Sequence, residues 1–207
     1  MMDLCAPEHW QDRLMQAVSP LELGVKGLRI SGFHPSGEAV FRPGRTAAVL
    51  VPFLKGHEPC IVLTRRADHL PNHPGQVSFP GGEAEEGDTS AVETALREAW
   101  EEIGLAPESV RPIGFLDRMD TISDYRVLPV VALVTPPVRW VLDETEVADV
   151  FTVPLHVALD KARYQSRNVR RGGQSQTLYT LHWKGQNIWG ATAAILMNLI
   201  SRMENPS

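Results

Sequence analysis

The sequence predicts an α/β fold in which helices pack on a mixed β-sheet. Runs of apolar and β-branched residues, such as TAAVLVPFL at 46–54 and PCIVLTRR at 59–66, are typical of strands. Segments with apolar residues at helical spacing lie between and after such runs, as at 89–103. Because strands and helices do not alternate strictly, we expect parallel and antiparallel pairing within one sheet.

The composition is that of an ordinary water-soluble globular domain. The chain has 207 residues, of which 43% are hydrophobic and 22% charged. A net charge of -5 gives no general attraction to nucleic acid or anionic membrane, and no run reaches the roughly 18 apolar residues of a membrane span. Cys5 and Cys60 form no CxxC pair, and charged residues interrupt the N-terminal region where a signal peptide would be apolar. We therefore expect a cytoplasmic protein with no nucleic-acid partner and no membrane association.

The predicted organisation has a lead-in followed by one main domain. Residues 1–44 comprise a short amphipathic helix at 7–17 and a lead-in rich in Gly and Pro at 18–44, both packed on the domain. The main domain spans 45–207 and ends in an apolar helix at 190–203. That helix is expected to serve the core or a contact between two copies in a homodimer.

The elements of the main domain follow from local patterns. The residues KGHE between 46–54 and 59–66 predict a hairpin. Residues 67–88 are studded with Pro and Gly, and a structureless loop of that length is usually functional. Further strands are predicted at 109–117, 125–134 and 177–186, and a turn or short helix running into a buried edge at 145–155.

The helix at 89–103 has clear start and stop signals. Ser90 and Glu93 have the spacing of a capping box, although Asp88 or Thr89 could cap the helix instead. Gly104 is a natural stop. One apolar stripe is formed by Val92, Ala95, Leu96, Ala99 and Ile103.

Three glutamates near the end of this helix are electrostatically unfavourable there. Glu98, Glu101 and Glu102 lie where the helix dipole favours cations, and like charges three or four residues apart repel. At the helical period their mean direction lies roughly 120° from the apolar stripe, so they are expected on one common face. One interpretation is a solvated acidic face. The other is a site for a divalent cation such as magnesium, which binds several carboxylates together with substrate phosphates.

The surrounding residues resemble a known motif. REAWEEIGL at 97–105 resembles the second half of the Nudix box, G-x5-E-x7-R-E-U-x-E-E-x-G-U, where U is aliphatic. Gly82 lies one residue farther from Arg97 than in that pattern, and Asp88 stands near the position of its first glutamate. The metal-binding core of the motif is intact.

An upstream segment narrows the resemblance to one branch of the family. VLTRRADHLPNHPGQVSFPGG at 62–82 is similar to LLTKRSxxLRxxxGxVxFPGG, the signature of Nudix coenzyme A pyrophosphatases. Ala67 replaces the Ser of that signature and Pro71 replaces the Arg. The resemblance implies the Nudix fold, an α/β/α sandwich around a mixed β-sheet.

The resemblance also implies an activity. Members of this branch hydrolyse the diphosphate of coenzyme A or its derivatives to 3′,5′-ADP and 4′-phosphopantetheine with Mg²⁺ or Mn²⁺. By this resemblance the metal ligands are Glu98, Glu101, Glu102 and the carbonyl of Gly82, with Glu98 the first candidate to act instead as general base. Arg97 matches an arginine that orients a glutamate, and its alternative role is a surface salt bridge.

Substrate contacts are expected from the loop and from two more distant groups. The resemblance places Arg65, Arg66, Gly75, Phe79, Gly81 and Gly82 at the substrate. Arg167, Arg170 and Arg171 could bind the 3′-phosphate, but a solvated basic hairpin is favoured for them. Glu144 and Glu146 could supply a late acidic ligand or base, and an acidic turn explains them equally well.

Two other functions stay open. The chain could be a Nudix hydrolase for another diphosphate, such as ADP-ribose or a dinucleotide. It could also be a Nudix-fold binding or regulatory module without turnover, although a pure binder has no need of the costly glutamate cluster.

Overall fold

The computed structural model describes residues 9–25, 28, 30–32, 46–121, 125–171 and 174–205. Cys5, the first residues of the predicted N-terminal helix and much of the predicted lead-in lie outside these ranges. The helices are α1 (Trp10–Ala17), α2 (Ala91–Ile103), α3 (Leu155–Ala158) and α4 (Gly190–Glu204). The strands are β1 (Ile30–Gly32), β2 (Thr46–Leu54), β3 (Cys60–Arg66), β4 (Val77–Ser78), β5 (Gly81–Glu83), β6 (Val110–Phe115), β7 (Arg118–Asp120), β8 (Arg126–Val134), β9 (Val147–Pro154), β10 (Gln165–Arg171), β11 (Gln174–Trp183) and β12 (Gln186–Trp189).

The larger sheet is mixed, as the sequence predicts. Its main path runs β1-β7-β8-β2-β3-β4, with β5 paired to β2, β6 to β8 and β9 to β3. β2 and β8 pair in parallel along their whole length, whereas β3 pairs antiparallel with both β2 and β9. A second, antiparallel sheet has the order β10-β11-β12.

Two hydrophobic layers cover the faces of the larger sheet. Alternate residues of β2 point to opposite faces, so Leu50 joins the layer that contains Ala95 of α2. Phe53 joins the other layer, with Leu14 of α1 and Leu199 of α4. The fold is therefore an α/β/α sandwich, and the predicted fold class is confirmed.

Three local predictions differ from the structure because strand pairing is decided at long range. The strands at 46–54 and 59–66 meet as a hairpin only through two residue pairs near their turn, after which β2 pairs with β8 and β3 with β9. The segment 67–88 is not structureless, since it contains β4 and β5. The predicted turn or short helix at 145–155 is mostly strand β9, because it pairs with β3.

Helix α2 begins and ends as its sequence indicates. Ser90 is the N-cap, and its Oγ accepts a hydrogen bond from the backbone N–H of Glu93 at 3.2 Å. The Glu93 carboxylate accepts from the backbone and hydroxyl of Thr89 rather than from Ser90. Gly104 adopts the left-handed conformation at φ 66° and closes the helix.

Helix α4 packs against β11 and α1, and most of its apolar side chains are buried. This agrees with the core role predicted for it, while a dimer contact stays a prediction. Within the described part of the chain, no helix has the length and hydropathy needed to cross a membrane.

Candidate active site

The three glutamates of α2 have very different exposures. Glu102 is buried, with 5% of the residue exposed, between Ala99 and Ile103 on the core side of the helix. The side chain of Glu98 is 14% exposed and that of Glu101 54%. The interpretation as a solvated acidic face therefore does not hold for Glu98 and Glu102, because β5 packs over the helix and covers them.

Glu102 is held by the backbone of β5. Its Oε2 accepts a hydrogen bond from the N–H of Gly81 at 3.1 Å. The pKa of Glu102 is raised to about 8, mainly by burial and to a lesser extent by the nearby charges of Glu98 and Glu146, while the Gly81 N–H and Arg66 oppose the shift. The raised pKa means that the ionised form of Glu102 is destabilised, and a nearby cation would stabilise it.

Glu98 lies directly against Gly82. A Cβ atom at position 82 would come within 2.5 Å of the Glu98 carboxyl carbon, so this position accepts only glycine unless Glu98 moves. Burial raises the pKa of Glu98, and the guanidinium of Arg97 opposes that shift.

Arg97 links two glutamates of α2 to the backbone of β5. Its Nη1 donates to Oε1 of Glu98 and to Oε2 of Glu101, each at 2.9 Å. Its Nη2 donates to the backbone carbonyl of Glu83 in β5 at 3.1 Å. Its hydrogen bonds to Asp88, and then the charge and hydrogen bond of Glu98, raise the pKa of Arg97 above its ordinary value, while burial opposes the shift.

Asp88 is the partner that fixes Arg97 from the other side. Its two carboxylate oxygens accept from Nε at 3.2 Å and from Nη2 at 2.9 Å. It also accepts from the hydroxyl of Thr94 and the backbone N–H of Glu85. The hydrogen bonds from Arg97 lower the pKa of Asp88 to about 2. The sequence marks this residue as a possible helix cap and as a departure from the motif, and its place near the missing glutamate was the available signal for its role.

A distant loop closes over the end of α2. The backbone N–H groups of Val141 and Asp143 donate to the carbonyls of Ile103 and Glu102, each at 3.0 Å. These bonds satisfy helix-terminal carbonyls without a basic side chain.

The same loop brings Glu146 towards the two inner glutamates. The carbonyl of Glu146 accepts from the N–H of Ala67 at 2.8 Å, and a ring nitrogen of His69 lies 3.1 Å from the carbonyl of Thr145. The charge of Glu146 contributes to the raised pKa values of both Glu98 and Glu102. Glu144 is exposed to solvent.

The arrangement offers oxygen donors for a divalent cation. Among the described residues, no three acidic, histidine or cysteine side chains are grouped tightly enough to hold a metal ion. The Arg97 guanidinium bridges Glu98 and Glu101 instead. The donor chemistry nevertheless suits a hard cation, since buried and mutually repelling carboxylates stand beside a glycine backbone that leaves them room.

The residues expected at the substrate lie in different environments. Arg66 lies near enough to Glu102 to lower its pKa. Arg65 donates to Asp68 at 2.9 Å, and Gly75 adopts φ 66° beside the same Asp68. Phe79 is only 2% exposed and its side chain packs in the core, while a substrate contact at this position stays a prediction.

The basic residues of the second sheet are remote from these glutamates along the chain. Arg167 and Arg170 are exposed on β10, which pairs with β11 and belongs to the separate three-stranded sheet. Their exposure agrees with the favoured interpretation as a solvated hairpin. The side chain of Arg171 lies outside the described residues.

A family model described as NUDIX domain matches residues 44–171. The chain belongs to the Nudix family. Members are hydrolases that act on phosphorus-containing anhydrides and generally use divalent metal ions. The predicted enzyme class is therefore confirmed at this level.

Relatives among curated proteins agree with the family. The chain is 43% identical over 157 residues to an uncharacterized Nudix hydrolase NudL of Yersinia enterocolitica, covering 76% of this chain and 80% of the relative. It is 43% identical over 159 residues to an uncharacterized Nudix hydrolase NudL of Yersinia pestis, covering 77% and 80%.

Solved Nudix structures share lower similarity. A C. elegans Ap4A hydrolase binary complex is 22% identical to this chain, with a TM-score of 0.47. The match covers 57% of this chain and 86% of the hydrolase chain. The NUDIX domain of Shewanella oneidensis NrtR complexed with ADP ribose is 20% identical, covers 56% and 75%, and has a TM-score of 0.42.

Proposed function

We propose that this Nudix hydrolase cleaves the diphosphate of coenzyme A or a derivative to 3′,5′-ADP and 4′-phosphopantetheine. One observation supports this most. The coenzyme A-type segment 62–82 ends in Gly81 and Gly82, which contact Glu102 and Glu98 of the Nudix helix directly. The segment that resembles a substrate signature therefore borders the residues that resemble the metal site.

The proposed cation is Mg²⁺ or Mn²⁺. Glu101, Glu102 and the carbonyl of Gly82 would hold it, together with Glu98 unless that residue acts instead as the general base. Glu101 would exchange its bond with Arg97 for the cation. When bound, such a cation neutralises diphosphate charge and lowers the pKa of a water.

In the proposed hydrolysis, a water oxygen forms a new bond to one phosphorus while the anhydride P–O bond breaks. The leaving phosphate takes the bonding electron pair. Glu98 is our candidate to accept the proton of the water, since burial raises its pKa towards the range useful for a base near neutral pH. Arg97 acts by holding Glu98 and Glu101, and we infer no contact between Arg97 and the reacting atoms.

We propose Arg66 as a cation for the substrate phosphates, because its charge is near enough to Glu102 to lower the pKa of that carboxyl. Arg65 is engaged with exposed Asp68, a pair that contributes little energy and can exchange for a phosphate. Gly75 would keep this loop narrow. The 3′-phosphate would bind Arg65 or Arg66.

The test is turnover of coenzyme A with and without Mg²⁺ or Mn²⁺, with products identified by mass. Dephospho-coenzyme A is the matched control, since it lacks only the 3′-phosphate. We expect metal-dependent release of 3′,5′-ADP and 4′-phosphopantetheine, with a preference for coenzyme A over the control. Equal turnover of both compounds would refute the proposed substrate.

A second candidate is hydrolysis of another nucleoside diphosphate derivative. Pro71 and Ala67 depart from the coenzyme A signature, and this observation favours the alternative. Cleavage of ADP-ribose or a dinucleotide in place of coenzyme A would support it. Silence on every diphosphate would indicate a binding module without turnover.

A further inference from the structure

His69 links the loop 67–76 to the turn that precedes β9. Its Nε2 lies 3.1 Å from the backbone carbonyl of Thr145. A carbonyl oxygen only accepts hydrogen bonds, so this contact requires a proton on Nε2. Two residues before His69, the N–H of Ala67 donates to the carbonyl of Glu146 at 2.8 Å. The loop therefore donates hydrogen bonds to two successive carbonyls of the turn.

Asp143 organises the turn internally and joins it to α2. Its Oδ1 accepts from the N–H of Thr145 at 2.9 Å and from the hydroxyl of the same residue at 2.6 Å. Its carbonyl accepts from the N–H groups of Glu146 at 3.0 Å and Val147 at 2.8 Å. Its own N–H donates to the carbonyl of Glu102 at 3.0 Å. The turn at 143–147 is therefore compact and is held at the end of the helix.

Glu146 is the acidic residue that this turn brings near α2. Val147, the next residue, pairs with Arg66, where the register of β3 against β9 shifts. Burial is the main reason that the pKa values of Glu98 and Glu102 are raised, and the charge of Glu146 adds to both shifts. A negative charge this close favours a cation beside the same two carboxylates, whether or not Glu146 binds the cation directly.

We propose that His69 is a positioning residue, which holds the turn 143–147 so that the carboxylate of Glu146 faces the proposed cation site of α2. This inference rests on the proposed metal-dependent hydrolysis. The side chain of His69 is exposed and binds the backbone of the turn, so its influence on the cation passes through Glu146. An exposed histidine that only covers the loop would have no such influence.

The first test measures binding of Mn²⁺ alone, from the electron paramagnetic resonance signal of the free ion. We expect His69→Ala to weaken binding by about tenfold, the scale for loss of a residue that orients a metal site. His69→Gln should stay within about threefold of the wild type, since its amide can still donate to the Thr145 carbonyl. His57→Ala, at the exposed turn between β2 and β3, is the matched control and should leave binding unchanged. Thermal unfolding shows whether each variant is folded.

A double substitution tests whether the effect passes through Glu146. Glu146→Gln should itself weaken Mn²⁺ binding by about tenfold. Adding His69→Ala to Glu146→Gln should weaken it by less than about twofold more, because the carboxylate that His69 positions is already absent. The same pattern is expected in kcat for the diphosphate substrate, with KM changed by less than about threefold.

Three results would overturn the inference: unchanged Mn²⁺ affinity in His69→Ala, unchanged affinity in Glu146→Gln, or losses that simply add in the double variant. Diphosphate cleavage by the wild type together with any of these results would refute only the role of His69. The expected changes in affinity without cleavage of any diphosphate would instead refute the proposed function and support the role of His69. A wild type that binds no Mn²⁺ would refute both.

Discussion

The guanidinium of Arg97 donates two hydrogen bonds to the carboxylate of Asp88, from Nε at 3.2 Å and from Nη2 at 2.9 Å. The third nitrogen, Nη1, is thereby directed at Glu98 and Glu101. Asp88 thus orients the arginine that orients the glutamates, although it lies outside the strict spacing of the Nudix box.

Replacement of Asp88 by Asn should impair both stability and activity. The amide keeps the shape but removes the charge from a side chain that is only 5% exposed. We expect a loss of about 1–3 kcal/mol of unfolding free energy, typical of hydrogen bonds to charged groups. A misplaced Arg97 should lower kcat by about tenfold to a hundredfold. Urea unfolding and steady-state kinetics measure the two effects.

Glu85→Gln is the matched control for this change. The Glu85 carboxylate lies 3.7 Å from Nη1 of Arg97, but its side chain is 70% exposed. Its removal should cost less than about 1 kcal/mol and leave kcat nearly unchanged. An equal effect of both substitutions would contradict the special role of Asp88.

The same ion pair predicts an acid-dependent loss of stability. Arg97 lowers the pKa of Asp88 from 3.8 to about 2 in the folded protein, so the folded state binds its proton less readily than the unfolded chain. The contribution of Asp88 is complete above its unfolded pKa and is lost as the pH falls towards the folded value. The difference in unfolding free energy between wild type and Asp88→Asn should therefore shrink between about pH 5 and about pH 3. A constant difference would contradict this origin.

Glu102→Gln should stabilise the metal-free protein at neutral pH. The pKa of Glu102 is about 8 in the folded protein, mainly because the group is buried, and 4.5 in the unfolded chain. Between these values Glu102 is ionised in the unfolded chain but protonated in the folded protein, which lowers the free energy of unfolding. A neutral glutamine avoids this cost and can still accept from Gly81. With chelator present, we expect a gain of about 1–3 kcal/mol near pH 8 that fades below about pH 5. Thermal and urea unfolding across pH measure it.

Glu101→Gln serves as the control, since this side chain is 54% exposed and should give no such gain. Added Mg²⁺ or Mn²⁺ should stabilise the wild type but have a smaller effect on Glu102→Gln. A pH-independent gain in Glu102→Gln would refute the explanation by burial of charge.

The adjacent glycines of β5 should respond differently to alanine. In Gly82→Ala the new methyl group displaces only the mobile end of Glu98, so the fold should survive while kcat falls by about a hundredfold. In Gly81→Ala the methyl group meets the backbone of Ala48 and Val49 at φ 151°, and stability should fall by about 1–3 kcal/mol or more. Melting temperatures and kcat separate the two outcomes. Equal destabilisation by the two substitutions would show that the Glu98 side chain cannot move away from the new methyl group.

Glu98→Gln should lower turnover by at least about a hundredfold, the scale expected for loss of a general base or metal ligand. The variant should remain folded, because glutamine has the same size as glutamate and fits the same space beside Gly82. Glu108→Gln, the same change at an exposed turn, is the control. Unchanged turnover and metal dependence in Glu98→Gln would show that the site has been wrongly assigned.

Much of the framework could be predicted from local sequence. The strands at 46–54 and 125–134, the cap at Ser90 and the stop at Gly104 depend on patterns within a few residues. Motif spacing likewise identified the glutamates of α2 and the family. These features are local because side-chain period, capping and turn chemistry act over one or two turns of chain.

Tertiary structure alone decided the environment of those residues. Glu98, Glu101 and Glu102 share one motif, yet β5 buries Glu102, partly covers Glu98 and leaves Glu101 in solvent. Glu146 reaches them only because its loop hydrogen-bonds to the end of α2. Burial and charge proximity arise from contacts between distant segments, so the sequence named the chemical groups and the packing set their electrostatics.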